Sequence, residues 1–475
     1  MLTRPRLLLY TTAALLLLAM LGTNQLWTME GRWAEICRQM VRTGDYLHPR
    51  LFQDDYYDKP VLSYWLMIVC SWFTGGLNEW SLRLPSAAAG LLAIFCVQRL
   101  GERLWNRDAG LAAGWVLLSC GMFVFWARIA SADILNLAGI LAAVTWYAER
   151  RERPTFTTYA VFGLIVGATS LTKGLVAAAL TVIIILPDVV TGWRRHVNPW
   201  LFLGALPGMA LFAAPFVLGG GFDLVWRENF VRYFRAFDHT DPWWIYLRTL
   251  PVYLLPWTFV LPFVGWRIAT RWKSLTPATR WMAWSSLGVL VFMSLSTSRR
   301  DYYILPIVPL LALLTADWLA EGGRRARVAR GISMAACSIM LVYVAIAVPV
   351  SMTRGGMRIF RADVQAAAGA SWESWDVVLL SAAPDAGWYL GDPGRAAYRI
   401  SVDEPAKIGE FLRDHPRTIL VVRRRRLESV AGFVEGCPRV MEKSRLPAML
   451  ERPSHEEELL VAFLVQKPAA KPTPQ

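Results

Sequence analysis

The chain has 475 residues, 55% hydrophobic and only 18% charged, with 23 Trp; a soluble protein carries nearer a quarter charged residues. Its net charge of +14 does not mark a nucleic-acid-binding surface, because the arginines are dealt into alternate short loops between apolar runs. Composition therefore excludes a soluble or nucleic-acid-binding protein and leaves a polytopic membrane protein.

Arg4 and Arg6 precede the first apolar run, 7–27. Thr23-Asn24-Gln25 is a poor cleavage site, so the run is expected to stay as an uncleaved anchor. A polar loop, 28–81, follows, with Glu30-Gly31-Arg32 and Asp58-Lys59-Pro60 set among tyrosines and tryptophans. Charges held against a bilayer are costly unless they line a cavity or bind something, which makes this loop the candidate catalytic one. Inside it, the apolar segment 61–77 is short and ends at Gly75-Gly76, and is expected to lie along the outer interface. Further apolar runs at 82–97, 109–126, 134–148, 159–170, 174–190, 200–218, 250–266, 281–295, 304–318 and 331–350 bring the crossings to about eleven.

The loops holding Arg99 and Arg103, Arg150 and Arg151, Arg194 and Arg195, Arg267 and Arg271, and Arg324 and Arg325 alternate with loops far poorer in Arg and Lys. The positive-inside rule puts the N-terminus in the cytoplasm and the C-terminal part outside. After Val350 the composition turns mixed, with strand-like runs at 375–382, 417–423 and 458–466 and a helix-compatible stretch at 404–414. The expected fold is mainly α. A membrane helical bundle spans 1–350, followed by a small α/β domain outside the membrane, 351–466, and a disordered tail, 467–475. Gly391-Asp392-Pro393-Gly394 lacks the spacing of a phosphate loop and reads as a plain turn. Cys37 and Cys437 both fall outside, without the paired spacing of a disulfide framework.

This topology collects charged groups on the outer face. Besides the first loop they are Arg128, Asp133, Lys173, the stretch 229–244 with His239, and Arg299, Arg300 and Tyr303. No span carries a carboxylate near its middle, since Asp188 and Asp317 lie near cytoplasmic ends, and this argues against an ion-coupled transporter. Arg32, Lys59, Lys173, Arg299, Arg300 and Tyr303 suit a phosphate or pyrophosphate, Arg pairing bidentately and Lys as a point charge. A carboxylate suits removal of a proton from an acceptor hydroxyl, and Tyr56, Tyr57, Trp65, Trp243 and Trp244 suit stacking on a sugar. Each has a plainer reading. Arg32 snorkels to headgroups, Asp133 caps the helix that starts at Ile134, His239 is a solvated loop residue, and Arg299-Arg300 anchor the interface.

The ordered pieces R-W-A-E-I, T-G-D-Y-L-H-P-R, Y-Y-D-K-P-V-L-S-Y-W, W-S-L-R-L-P-S, R-I-A-S-A-D, L-T-K-G, H-x-x-P-W-W-x-Y with L-P-W, and R-D-Y-Y-I-L-P cover roughly residues 25–320. Together they resemble the aminoarabinose-lipid A transferase and protein mannosyltransferase-like group of GT-C glycosyltransferases. That resemblance implies a polyprenyl-phosphate-linked sugar donor, an outer-face active site in a bacterial inner membrane, and an inverting displacement. The acceptor would be lipid A or another envelope glycan, and no nucleotide cofactor would be used. Arg32, Lys59 and Tyr303 match donor-phosphate contacts, with Tyr57, Lys173, Arg299 and Arg300 as further substrate-binding candidates. Asp133 matches an acidic residue near the reaction centre. Asp58 matches a position associated with a divalent metal, for which His239 is the second candidate ligand.

One departure bears on mechanism. The family opens its first loop with Asp-Glu, whereas this chain has Met29-Glu30. Glu30 or Asp133 then serves as base, or the acceptor is a phosphate that needs no strong base, or activity has been lost. A glycolipid transporter or flippase and an inactive glycolipid-binding protein are the readings from other classes.

Overall fold

The computed structural model describes residues 3–236, 239–382, 384–391, 397–445 and 453–466. The turn at Gly391-Asp392-Pro393-Gly394, past its first residue, and the 467–475 tail lie outside the described residues. The chain is mainly helical and packs into two compact units. One comprises 1–21, 57–70 and 83–344; the other comprises 22–56, 71–82 and 345–475. Its first helices are α1 (Arg4–Leu18), α2 (Thr28–Thr43), α3 (Leu62–Phe73), α4 (Glu79–Leu104), α5 (Arg107–Leu118), α6 (Gly121–Ala127), α7 (Ala132–Arg150), α8 (Phe156–Lys173) and α9 (Val176–Thr191).

By length and composition, four described helical stretches can cross a membrane: Glu79–Leu104, Pro199–Gly219, Asp301–Ala320 and Gly323–Ser374. Two bent pairs, α5 with α6 at 72° and Ile245–Tyr253 with Trp257–Thr270 at 113°, bring the number to six. An apolar run in the sequence is thus not always one straight helix. The run 109–126 turns at Ser119 and Cys120, and the run 250–266 breaks around Leu254 to Pro256. The twelve residues of α3 reach only about 18 Å, short of a bilayer core.

Within the first unit, α8 and the helix Pro199–Gly219 approach closely through small residues. Gly163 and Gly167 face Gly204 and Gly208, and a Cβ at any of them would meet the opposing helix, at Gly163, Gly167 and Gly208 its backbone. This small-xxx-small pairing brings backbones together where lipid offers no hydrophobic drive. Away from that seam the Pro199–Gly219 helix is exposed at Phe202, Met209 and Val217, as a lipid-facing surface would be. Gly208→Leu should force the two helices apart, at a cost of about 3 kcal/mol, the upper end for overpacking. The check is a lower thermal midpoint in detergent by fluorescence-detected size exclusion; an unchanged midpoint would refute the close packing.

The second unit is built on a five-stranded sheet of β3 (Asp376–Leu380), β4 (Ala397–Ile400), β5 (Arg417–Arg423), β6 (Arg439–Met441) and β7 (Leu460–Gln466), after a short antiparallel pair, β1 (Arg50–Leu51) with β2 (Asp54–Asp55). The order is β4-β3-β5-β7-β6. Neighbours of β3 run parallel, from Val377 opposite Ile419 and Ala397, while β7 runs antiparallel to β5 and β6. The central strands are buried along nearly their whole length, hence the unbroken apolar runs of Val, Leu and Ile. Val378, Leu420, Val422 and Phe463 form the core with Ile408 and Leu412 of the helix Pro405–Asp414.

The α2 helix belongs to this unit. Glu35 and Arg38 pair within it, and Arg38 donates to the Gly387 carbonyl at 2.9 Å and the Trp388 carbonyl at 3.2 Å. At Gly31 there is no room for a side chain, because a Cβ there would lie 2.6 Å from the Asp385 side chain and closer still to its backbone. Nearby, burial pushes the Glu442 carboxyl from its ordinary 4.5 up to about 7, with the Leu460 N–H and Arg445 opposing and Asp385 adding to the rise. A folded-state value above the unfolded one means the native form holds the proton more tightly. That stability is full below about pH 4.5 and is lost as pH rises through about 7. Glu442→Gln keeps an acceptor for Leu460 but cannot ionise, so its melting temperature should fall less than that of wild type across this window. Parallel curves would refute the assignment.

Candidate active site

In the first unit, two helix ends meet. Ser131 starts α7: its hydroxyl accepts from the Asp133 N–H at 3.0 Å and donates to Asp133 Oδ2 at 2.9 Å. The Ser131 N–H donates in turn to Ser86 Oγ of α4 at 3.2 Å. Asp133 therefore sits in the first turn of α7, where the helix dipole favours an anion. At the other end, α8 stops at Lys173 because Gly174 adopts φ +97°. A Cβ there would lie 2.5 Å from Asn229 Oδ1, which also accepts from the Leu175 N–H at 2.7 Å. This turn aims the Lys173 ammonium at Asp133 Oδ1, with which it forms an ion pair; the side chains are 15% and 9% exposed. Lys173 Nζ also lies 4.7 Å from the Tyr303 ring centroid and 5.9 Å from that of Tyr302. The two rings meet edge to face at 4.9 Å.

The Asp58-Lys59-Pro60 turn is tied to the same place. Ser63 at the start of α3 donates to the Thr172 carbonyl, next to Lys173, at 3.0 Å. Lys59 Nζ donates to the Asp58 carbonyl at 2.9 Å, and among the described residues it forms no ion pair. Loss of water lowers its pKa; Asp58 opposes this, while Arg232 and Lys173 push it further down. Arg232 is buried and pairs with Glu228 at 2.5 Å. Both belong to a chain segment in which a π-turn, Arg227–Val231, interrupts the helix; such turns often re-aim side chains at functional sites. Burial raises the Glu228 pKa, Arg232 counters, and Asp58 adds to the rise. Arg232 and Lys173 thus both act on Lys59, beside Asp58 and Glu228, while Lys173 is paired with Asp133.

Sequence reasoning named Asp58, Lys59, Asp133, Lys173 and Tyr303, but did not single out Arg232 or Glu228. The signal available was their i,i+4 spacing in Arg-Glu-Asn-Phe-Val-Arg. Arg299 has another task. Its Nε donates to the Asp241 carbonyl at 2.7 Å, its Nη1 to the Ser296 carbonyl, and its N–H to the His239 carbonyl at 2.6 Å. It clamps a loop in which His239 takes φ +57°. Arg300 is exposed, and its carbonyl accepts from the Tyr303 N–H at 3.1 Å. Arg128, also placed on the outer face, caps the end of α1 through the Leu16 and Ala19 carbonyls. Tyr57 is half-buried at the start of the segment that carries Lys59.

Glu30 and Arg32 fall in the second unit. Glu30 is fully buried and accepts from the Trp27 N–H at 2.9 Å, closing the first turn of α2. Arg32 donates to the Tyr56 hydroxyl at 2.7 Å, its guanidinium 5.6 Å from that ring's centroid. Among the described residues no three His, Cys, Asp or Glu side chains group so as to hold a metal ion.

Residues 58–217 match the family model described as dolichyl-phosphate-mannose-protein mannosyltransferase. The undecaprenyl phosphate-alpha-4-amino-4-deoxy-L-arabinose arabinosyl transferase of Aeromonas salmonicida is 32% identical over 332 residues, covering 64% of this chain and 59% of that protein. Its namesake in Pseudomonas aeruginosa is 30% identical over 331 residues, covering 66% and 59%. The chain thus spans about three-fifths of the length of these relatives. The crystal structure of ArnT from Cupriavidus metallidurans bound to undecaprenyl phosphate superposes with a TM-score of 0.71 at 18% identity, over 98% of this chain and 99% of that one. The Archaeoglobus fulgidus oligosaccharyltransferase does so at 0.54 and 11%, over 90% and 70%. The fold is the ArnT-like GT-C fold, and the resemblance carried by the motifs is borne out.

Proposed function

We propose that this chain is a membrane glycosyltransferase that moves an aminopentose or related sugar from an undecaprenyl-phosphate-linked donor to lipid A or a similar envelope acceptor. The observation that carries this reading is Lys59. It is half-buried, donates to the Asp58 carbonyl and forms no ion pair among the described residues, while Arg232 and Lys173 act on it against Asp58 and Glu228. A partly desolvated ammonium without an ion-pair partner favours an anion brought to it. A donor phosphate placed against Lys59 and Arg232 would supply that anion.

In the displacement, an acceptor oxygen attacks the anomeric carbon, a new C–O bond forms, and the bond from that carbon to the donor phosphate oxygen breaks. Undecaprenyl phosphate leaves with the electron pair, its growing charge met by Lys59 and Arg232. Asp133 takes the proton of a hydroxyl acceptor. If the acceptor is instead a phosphate group of lipid A, its second ionisation lies near pH 6, so it is mostly deprotonated at neutral pH and needs no strong base. That removes the need for the Asp that Met29 replaces. The arginine distribution supports an N-terminus in the cytoplasm, eleven crossings, and the site and the sheet domain outside a bacterial inner membrane.

Mass spectrometry of lipid A and envelope glycans from a deletion strain and its complemented counterpart tests this. A sugar mass lost on deletion and regained with the gene is the expected result. Unchanged glycans in cells that make the protein would overturn it in favour of a transporter or an inactive binder.

A further inference from the structure

The candidate site is assembled from separate stretches of chain. The end of α8 carries Lys173, paired with Asp133, and the segment interrupted by the π-turn carries Glu228 and Arg232. One side chain joins them across 54 residues of sequence. Asn229, inside the π-turn, accepts from the Leu175 N–H at 2.7 Å through Oδ1 and donates to the Val225 carbonyl at 2.8 Å through Nδ2. Both ends of its amide are used, one as acceptor and one as donor, and this fixes its orientation. The bare backbone of Gly174 lets it come so close.

The segment is held again just beyond Arg232. There the Thr297 N–H donates to the Tyr233 carbonyl at 2.8 Å, and the Tyr233 hydroxyl donates to the Phe292 carbonyl at 2.9 Å. On the segment's other side Trp226, Phe230 and Phe234 recur every four residues and are exposed. Arg232 thus lies between two ties, Asn229 three residues before it and Tyr233 directly after it. Wide helical turns are rare, and Asn229 sits at the centre of this one. Its bond to Leu175 sets how near Arg232 comes to the Lys173 turn.

We propose that Asn229 is a positioning residue for sugar transfer. By tying the π-turn to the Lys173 turn it fixes the distance between Asp133, held by Lys173, and the Arg232 guanidinium. Those are the groups that take the acceptor's proton and meet the charge on the leaving phosphate, so the inference rests on the function proposed above. Asn229 spends both ends of its amide on backbone groups, and its effect runs through Arg232. A shift of about 1 Å in such a group can cost up to about 10²-fold in rate.

Sugar transfer by the purified full chain, with synthetic undecaprenyl-phosphate-linked aminoarabinose and lipid A, tests this. Asn229→Leu removes both hydrogen bonds at similar size and should lower kcat roughly tenfold, less than loss of Arg232 itself. Asn229→Asp keeps an acceptor for the Leu175 N–H and should stay within about threefold of wild type. In a chain that already carries Glu228→Ala and Arg232→Ala, adding Asn229→Leu should change kcat no further, because residues acting through one contact are not additive. A residue that only stabilises the fold would give the same loss in both backgrounds. That result, or wild-type kcat in Asn229→Leu, would overturn this inference alone. A wild-type chain that transfers no sugar would overturn the proposed function and this inference with it.

Discussion

Asp133→Asn should lower sugar transfer by at least about 10²-fold, the lower range for losing a general base. The substitution also leaves the Lys173 ammonium without its partner, and a buried charge so stranded costs about 3–5 kcal/mol. A second variant separates the two effects. In Asp133→Asn combined with Lys173→Gln both charges are gone, and stability should return. If Asp133 takes the acceptor's proton, transfer stays low in the double variant while the protein melts near wild type. If the carboxylate only holds Lys173, transfer recovers together with stability, and the assignment of Asp133 as base fails. Purified protein with a synthetic donor and separated lipid A gives both readouts.

Lys59→Ala and Arg232→Ala are expected to cut kcat by about 10²–10³, the range for removing one group that stabilises a developing anion. Lys59→Arg should not restore the rate, because a planar fork cannot replace a point charge pinned before Pro60. Arg232→Ala strands Glu228, so Arg232→Ala with Glu228→Ala is the fairer measure. Arg299→Ala should act differently, lowering the melting temperature by loosening the loop it clamps. Wild-type kcat in both the Lys59 variant and the Arg232–Glu228 double variant would remove the phosphate-binding assignment.

Much of the site was legible because its residues lie in short contiguous motifs whose spacing survives reading alone. Leu-Thr-Lys-Gly ends a helix at a glycine and leaves Lys173 at its tip. Ser-Ala-Asp places a carboxylate in the first turn of the next helix. Arg232 carried only the weak signal of its i,i+4 spacing from Glu228, in a segment whose π-turn departs from the 3.6-residue period that pattern reading assumes. Arg299 misled for another reason: a guanidinium before an interface looks the same in sequence whether it meets phosphate or backbone carbonyls. The mixed composition after Val350 disclosed strands β3, β5 and β7, but β4 and β6 are only four and three residues long, too short to carry an alternation. The second unit's make-up left no trace in sequence, since nothing periodic links α2 to Gly387.

That non-contiguous unit sets a schedule for biosynthesis. Arg38 and the Gly387 carbonyl it binds are 349 residues apart. At 5–20 residues per second, α2 leaves the ribosome roughly 17–70 s before its partner exists. Through that interval the newborn first loop must be kept from misfolding by chaperones or by the membrane surface. A ribosome that stalls before residue 387 releases a chain in which α2 can never gain that partner, and such fragments should be short-lived in the cell.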